Sequence, residues 1–528
     1  MGIPSYFVHL VKNHRSIIKK YEKTNTQIDN LYLDCNSLIY DAIAQIVFKN
    51  DADFEAKILD VICAKLEGYI NIIGPSKKVY IAFDGVAPVA KLSQQKNRRY
   101  KSWFQDEVMR SIYSTTTTPG NKWNSAAITP GTKFMDKLDE RVNTYFKDPS
   151  KFSTEEIIIS TSKIPGEGEH KLYEYIRENP EYHKNTATAI YGLDSDLIML
   201  TLNHLEYAPR MYLFRETPYF IKMLDESLIP NCNYLLDIPE FATRLVTELT
   251  HKSDLTIETQ TKIIKDYVFF CFLLGNDFMP HFPALNIRTR GIDVLLNIYN
   301  DINGDLKHFL IEDGAISWKN FKKLIEYLAK NEHKLLTEEY KVREKWECRK
   351  FQENTEEQRF TNTPIFKRDI EKFINPREDG WQNRYYSSLF KIDINEDRQK
   401  QIAVNYLSIL EWNFKYYNSG CPDWRFKYNY CYPPLLQDLV KYIPYFETNF
   451  IEKVEKAPIA ECVQLAYVLP RNSLKLIPNG GQTILLDKYN NNYRLDYKFE
   501  WAFCKYFWEC HVLIPEIDIN ELETLLVK

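Results

Sequence analysis

Five short apolar runs separated by helical stretches constrain the fold of this chain more than any other feature. LYLD (31–34), VYIAFD (79–84), EIIIST (156–161), TAIYGLD (188–194) and MYLFRE (211–216) are rich in β-branched and aromatic residues. Runs this short, bounded by turn-forming residues, read as strands rather than buried helices. Between the first two lies AKILDVICAKLEGYINII (56–73), whose apolar positions recur at helical spacing. Strands alternating with such helices predict an α/β fold, a twisted and mainly parallel sheet with helices on its faces. From about residue 260 the strand signal fades, and TKIIKDYVFFCFLLGNDFMP opens a largely helical region. The stretch 330–385 is charged and poor in apolar periodicity, which predicts exposed helix and linker. A length of 528 residues exceeds what one core organises. The expected division is therefore 1–230 and 260–528, with Asp277 crossing from the second part to complete the first.

Four of the five runs end in, or lead directly into, acids: Asp34, Asp84, Glu167 with Glu169 in PGEGEHK, and Asp194 with Asp196 in YGLDSDL. The carboxyl ends of strands line the ligand crevice of an open α/β sheet, so these six side chains should converge. A seventh, Asp277 in LLGNDFMP, closes an apolar helical run. Any one of them could simply cap the helix that follows its strand. Six together are harder to explain that way, because clustered carboxylates repel one another unless cations neutralise them. Hard oxygen ligands without a nearby cysteine favour Mg²⁺ or Mn²⁺ over zinc. Two such ions, about 3.5 to 4 Å apart, can activate a water and stabilise the leaving oxygen in phosphodiester hydrolysis. His170 beside this loop could serve as a general base, but a lone histidine at a helix start is more often structural, and Lys171 follows it into the same helix.

Directly after FDGVAP comes VAKLSQQKNRRYKSW, with five basic residues from Lys91 to Lys101 and no acid among them. Lys91, Gln95, Arg98 and Arg99 fall at i, i+4, i+7 and i+8, which places them on one helical face. That face would sit beside the acids and suit a terminal phosphate, while Lys101 lies off it. An ordinary solvated basic face is the competing reading.

Net charge is −4, so nucleic acid is not held through overall positive charge and any such site is local. Ten cysteines without a CxxC pair suggest neither a disulfide framework nor structural zinc, and fit a reducing, intracellular compartment. MGIPSYFVHL carries no secretory leader pattern, and no stretch reaches the length of a membrane span. Gly2 lacks the Ser or Thr at position 6 that myristoylation favours, since Tyr6 stands there. Aromatic residues, 14% of the chain, serve either packing or base stacking. Abundant Lys, Asn, Ile and Tyr suggest an AT-rich genome, compatible with a viral origin.

These blocks resemble a known family. LYLDCNSLIY, FDGVAPVAKLSQQKNRRYKS, ITPGTKFM, PGEGEHK, YGLDSDLIML and LLGNDFMPHFP are similar, in order and spacing, to the signature blocks of Xrn-type 5′→3′ exoribonucleases. GWQNRYY (380–386), YYNSGCPDWRFKYNYCYPP (416–434) and LAYVLPRNSLKLIP (465–478) continue the likeness over nearly the whole chain. More distantly, the core is similar to flap endonuclease (PIN-like) nucleases, which share the acidic cluster.

The resemblance implies that Asp34, Asp84, Glu167, Glu169, Asp194, Asp196 and Asp277 hold two Mg²⁺ ions, with Mn²⁺ able to substitute. Lys91, Gln95, Arg98 and Arg99 match the family's pocket for a 5′-monophosphate, which excludes capped ends. Tyr40 stands where the family usually has a histidine, and with Trp424 it would sandwich the terminal base; packing of the helical region is the other use for Trp424. The implied activity is processive hydrolysis of 5′-monophosphorylated single-stranded RNA to 5′-mononucleotides, as in mRNA decay. The implied setting is a cytoplasmic rather than nuclear monomer with no membrane association, and a decapping enzyme as a partner. The chain ends where the family's catalytic core ends, so processivity supplied by further domains is not expected to carry over. The alternatives are a flap-type DNA nuclease and an inactive RNA-binding scaffold. The former has no need of the phosphate pocket, and the latter no reason to keep seven repelling acids together.

Overall fold

The computed structural model describes residues 3, 5–23, 26–113, 123–217, 222–223, 225–230, 232–349 and 354–527. Gly2 and most of the extreme N-terminus therefore lie outside the described residues. Among those described, seven strands form one sheet: β1 (Ile18–Lys20), β2 (Asn30–Asp34), β3 (Lys78–Ala82), β4 (Glu156–Ser160), β5 (Thr188–Tyr191), β6 (Met211–Glu216) and β7 (Asn233–Asp237), in the spatial order β1-β7-β6-β5-β2-β3-β4. β2 through β6 pair in parallel, and β7 and β1 close one edge as antiparallel strands. All five expected strands are present. Those expected over 79–84 and 188–194 end earlier, at Ala82 and Tyr191, where Phe83 and Gly192 turn the chain towards the acids. β1 and β7 were not anticipated: β1 is a three-residue edge strand with a single inward residue, Ile18, and β7 is held between β1 and β6.

Chain order explains where a ligand site must lie. The chain steps from β2 outwards through β3 to β4, then returns to the other side of β2 with β5 and proceeds to β6. The reversal between β2 and β5 opens a crevice at the carboxyl ends of these strands. Alternating side chains supply both layers. Leu31, Leu33, Val79, Ile81 and Tyr191 face a core that includes the Asp51–Ile73 helix. Tyr32, Tyr80, Ala82 and Ile190 face a second core, continuous with helices of the second half such as Ile257–Cys271 and Glu396–Ser419. Asn50, whose side chain accepts the Asp53 N–H, starts the first of these helices five residues before the apolar periodicity does.

Among the described residues, much of the stretch 330–385 is buried rather than exposed helix and linker. The Trp318–Cys348 helix runs for 31 residues, and Leu336, Tyr340, Arg343, Glu371, Ile374, Trp381, Tyr385 and Tyr386 are all buried. Periodicity missed it because part of its interior is ionic. Arg343 Nη2 and Nε lie 2.6 and 2.8 Å from the two Glu371 carboxylate oxygens, and Arg368 Nε lies 2.7 Å from Oε2. Charges paired this completely can be buried, although their pattern looks solvated. Among the described residues no helix is long and apolar enough to cross a membrane, and none of the ten cysteines is in a disulfide.

The two halves interlock. Val89 N–H donates to Trp424 O (2.9 Å) and Ala87 N–H to Gln464 Oε1 (3.1 Å), tying the start of the Val89–Ile112 helix to the second half.

Candidate active site

Each acid reaches the crevice for a local reason. Asp34 is the last residue of β2, and Asp84 follows β3 by two residues. Glu167 and Glu169 flank the first residue of the Gly168–Glu178 helix, Asp196 opens the Asp196–His204 helix, and Asp194 is exposed in the turn before it. Asp277 arrives on the turn beyond Phe272–Leu274. Gly168 lets the backbone approach: a Cβ there would lie 2.7 Å from Asp34 Oδ1, and its N–H donates to Asp84 Oδ1 at 2.6 Å. The structure thus brings all seven acids to one end of the sheet.

Their electrostatics show how close they are. Burial first, then Asp84, Asp194 and Glu167, push Asp34 well above the ordinary carboxylate range. Burial, Asp196 and Glu167 do the same to Glu169, and burial with Asp277 raises Asp196 to about 7. Burial would raise Asp277 as well, but the adjacent Lys91 ammonium holds it well below the usual range. Glu169 Oε2 and Asp196 Oδ1 are buried without a hydrogen-bond partner. Unsatisfied buried carboxylate oxygens in a repelling cluster fit a hard divalent cation. Among the described residues, however, no three His, Cys, Asp or Glu side chains are gathered as a ready metal-ligand set. Among the described residues, Lys91 puts a cation into the cluster, 2.5 Å from Glu167 Oε2 and 2.7 Å from Asp277 Oδ2.

The basic helix therefore divides its face. Lys91 enters the acid cluster itself. Gln95 is buried with its Oε1 unpartnered, Arg99 leaves Nη1 unpartnered while Nη2 reaches Ile128 O at 3.4 Å, and Arg98 is exposed. Burial lowers the Arg99 guanidinium to about 10, against the influence of neighbouring Tyr40. Tyr40, 44% exposed, and half-buried Trp424 touch no other aromatic ring among the described residues. A Cβ on Gly166 would meet the Trp424 ring at 3.9 Å, which places that tryptophan against the glutamate-bearing loop. Tyr40 and Trp424 are both near the site, but they do not stack on each other.

Supporting residues had no separate signal. Asn36 Nδ2 donates to Asp84 Oδ2 and its Oδ1 accepts the Asp84 N–H, fixing that carboxylate. Gln94, next to the residue singled out above, points Nε2 at Asp277 Oδ1 (3.4 Å). Lys171 Nζ donates to Phe83 O and Thr161 O and holds the strand ends together. From the second half, Tyr416 Oη donates to Glu167 Oε1 at 3.0 Å. The Tyr416 ring stacks on His170 with centroids 3.7 Å apart. Burial, with Arg177 and Lys91, keeps that imidazole neutral, and it serves as a packing surface. The two tyrosines of YYNSGCPDW were the available clue to this contact.

Comparison with known proteins agrees with this geometry. Residues 1–217 match the XRN 5′-3′ exonuclease N-terminus, and residues 258–375 and 367–528 match the Xrn1 helical domain. The chain is 30% identical to human 5′-3′ exoribonuclease 1 over 99% of its own length and 34% of the relative's. To the Saccharomyces cerevisiae 5′-3′ exoribonuclease 1 it is 26% identical, covering 99% of this chain and 43% of that one. To the Drosophila melanogaster 5′-3′ exoribonuclease 2 homolog it is 26% identical over 100% of this chain and 71% of the relative. The chain thus spans well under half the length of two of these relatives. With acids at the strand ends, a basic helix beside them and matches across both halves, the chain belongs to the Xrn family of 5′-3′ exonucleases.

Proposed function

We propose that this chain is a 5′→3′ exoribonuclease that hydrolyses 5′-monophosphorylated single-stranded RNA from its end and releases 5′-mononucleotides. The observation that carries the reading is that one helix, Val89–Ile112, carries Gln95, Arg98 and Arg99 and also sends Lys91 into the seven-carboxylate cluster, so that the basic group and the acids adjoin. Family membership implies use of a divalent metal in general; Mg²⁺ is our specific assignment, with Mn²⁺ as a substitute. Asp34, Asp84, Glu167, Glu169, Asp194, Asp196 and Asp277 would hold two ions, whose chemistry when bound is to activate water and stabilise the leaving oxygen.

The protein's own groups do the rest. Arg99, Gln95 and Arg98 bind the terminal phosphate, and Lys91 lies between that phosphate and Glu167 and Asp277 as a counter-charge to both. Asn36 and Gly168 orient Asp84, and Tyr416 orients Glu167. Tyr40 and Trp424 offer unpartnered aromatic rings for the first base. The two residue ranges 1–230 and 260–528 would act as one unit, as a cytoplasmic monomer receiving RNA from a decapping partner.

The test offers 3′-labelled RNA with 5′-monophosphate, hydroxyl, triphosphate or capped ends, together with single-stranded and flap DNA, with and without Mg²⁺. The expected result is rapid loss of monophosphate RNA only, dependent on the metal. Equal rates on all RNA ends would overturn the phosphate pocket, and preferential cleavage of flap DNA would overturn the ribonuclease assignment.

A further inference from the structure

β6 carries an arginine where packing alone calls for an apolar side chain. Alternate residues of a strand face the same side, so Met211, Leu213 and Arg215 point one way, and the first two lie in the core shared with the second half. Arg215 follows them into that interior and is 4% exposed. Its Nε is buried without a hydrogen-bond partner. Burying a guanidinium that is only partly satisfied is costly, so an arginine at this position points to a use other than packing.

What it reaches identifies the use. β5 and β6 pair as far as Tyr191 and Phe214, so Arg215 stands level with Gly192, the first residue beyond β5. Arg215 Nη2 donates at 3.1 Å to Leu193 O, the carbonyl immediately before Asp194. The buried Phe7 ring, from the Tyr6–Asn13 helix, covers the guanidinium with its centroid 3.8 Å from Cζ. A planar fork held against an aromatic face has little freedom to turn. Burial lowers this guanidinium to about 10, and Asp194 is the foremost group acting in the other direction.

The turn it grips bears two of the seven acids. Gly192, Leu193, Asp194 and Ser195 lie between β5 and the Asp196–His204 helix. Gly192 is closed in, because a Cβ there would lie 2.1 Å from Leu197 Cδ1 and 3.7 Å from Asp34 Cβ. Packing therefore fixes the glycine, and Arg215 fixes the carbonyl of the next residue. Asp194 is exposed whereas the other six acids are buried or half-buried, so its position depends most on the backbone that carries it.

We propose that Arg215, braced by Phe7, is a positioning residue for the reaction, holding the Leu193 carbonyl and thereby setting where the Asp194 carboxylate stands to receive a divalent cation. This rests on the metal-dependent nuclease reading given above. Two effects of the arginine oppose each other: its charge repels a cation at the site, whereas its hydrogen bond orders a ligand for that cation. Were charge the dominant effect, removing it would tighten metal binding. Positioning predicts the reverse.

The test compares the full chain with Arg215→Met, which keeps the length of the side chain and suits the apolar face. Amide hydrogen exchange over residues 192–197 of the metal-free protein should speed up about tenfold, as the turn opens more often. Calorimetric Mn²⁺ affinity of the RNA-free protein should fall about 10- to 100-fold, the range for losing a group that orients a metal ligand. The Mg²⁺ needed for half-maximal cleavage of monophosphorylated RNA should rise in parallel, with KM for RNA changed by about twofold at most. The melting temperature should stay within about 3 °C of the parent's, because an apolar side chain replaces a buried charge. Should Arg215→Met fail to fold, Arg215→Lys, which keeps the charge and one donor but loses the fork, should show the same changes in smaller degree. Parental exchange over 192–197, Mn²⁺ binding as tight as the parent's or tighter, or a fall in melting temperature that accompanies the lost binding would each overturn the proposal. If the parent chain cleaves monophosphorylated RNA with Mg²⁺ and the variants match it, the clamp fails and the proposed function stands. A parent that binds no Mn²⁺ and cleaves no RNA removes both.

Discussion

Tyr416→Phe isolates one oxygen. The Tyr416 hydroxyl donates to Glu167 Oε1 at 3.0 Å, while Lys91 draws the other oxygen, Oε2, at 2.5 Å. Phenylalanine keeps the ring, so the stack on His170 (3.7 Å) and the contact with Trp412 (4.8 Å) remain. A hydrogen bond to a charged partner contributes about 1.5 to 3 kcal/mol. If that energy goes into holding Glu167 for the metal, the variant needs about 10- to 150-fold more Mg²⁺ for half-maximal activity, since about 1.4 kcal/mol is a factor of ten. The KM for RNA should move less than twofold, because Tyr416 is distant in role from the phosphate donors. The assay is a steady-state Mg²⁺ titration with 3′-labelled monophosphate RNA, paired with calorimetric Mn²⁺ binding to the RNA-free protein and a melting curve. An unchanged Mg²⁺ response with unchanged Mn²⁺ affinity would refute the reasoning and leave Tyr416 as packing between the halves. So would a large fall in melting temperature that accounts for the loss.

Other perturbations test separate parts of the structure. Asp194→Asn and Asp196→Asn should each abolish hydrolysis while RNA binding in EDTA persists; near-normal turnover at saturating Mg²⁺ would remove them from the site. Tyr40→Ala and Trp424→Ala should slow degradation by about 1 to 3 kcal/mol of lost stacking without stopping it, and Tyr40→His should be near neutral, as read by the decay of a long monophosphorylated RNA. Glu371→Leu leaves Arg343 and Arg368 buried without their carboxylate, with an expected destabilisation of about 3 to 5 kcal/mol in urea unfolding. Lys96 is buried over the Tyr467 ring at 4.9 Å, and burial lowers its pKa to about 8. Its folded pKa lies below its unfolded one, so the native state sheds the proton first and the burden on stability disappears as pH rises from about 8 through about 10.5. Lys96→Met should therefore raise the melting temperature at pH 7 and change it little at pH 10.5; an equal gain at both would show a packing effect.

The strands, the acids at their ends and the basic helix were legible in the sequence because each depends on local rules. Short apolar runs bounded by turn residues form strands that pair, a carboxylate after such a run emerges at a strand end, and residues at i, i+4, i+7 and i+8 share a helical face. Tertiary structure alone decided what those groups meet. Nothing local places Lys91 between Glu167 and Asp277, 76 and 186 residues away in sequence, because that contact requires the second half to fold back over the crevice. The antiparallel strands β1 and β7 exist through pairing, β7 with β6 and β1 with β7, rather than through their own pattern. The stretch 330–385 looked solvated because its interior is partly ionic, and a buried ion pair is recognisable only when Arg343 and Glu371 are already side by side. Tyr416 reaches Glu167 across 249 residues for the same reason. Side-chain chemistry and periodicity travel with the sequence, whereas the pairing that satisfies a buried charge is a property of two distant segments at once.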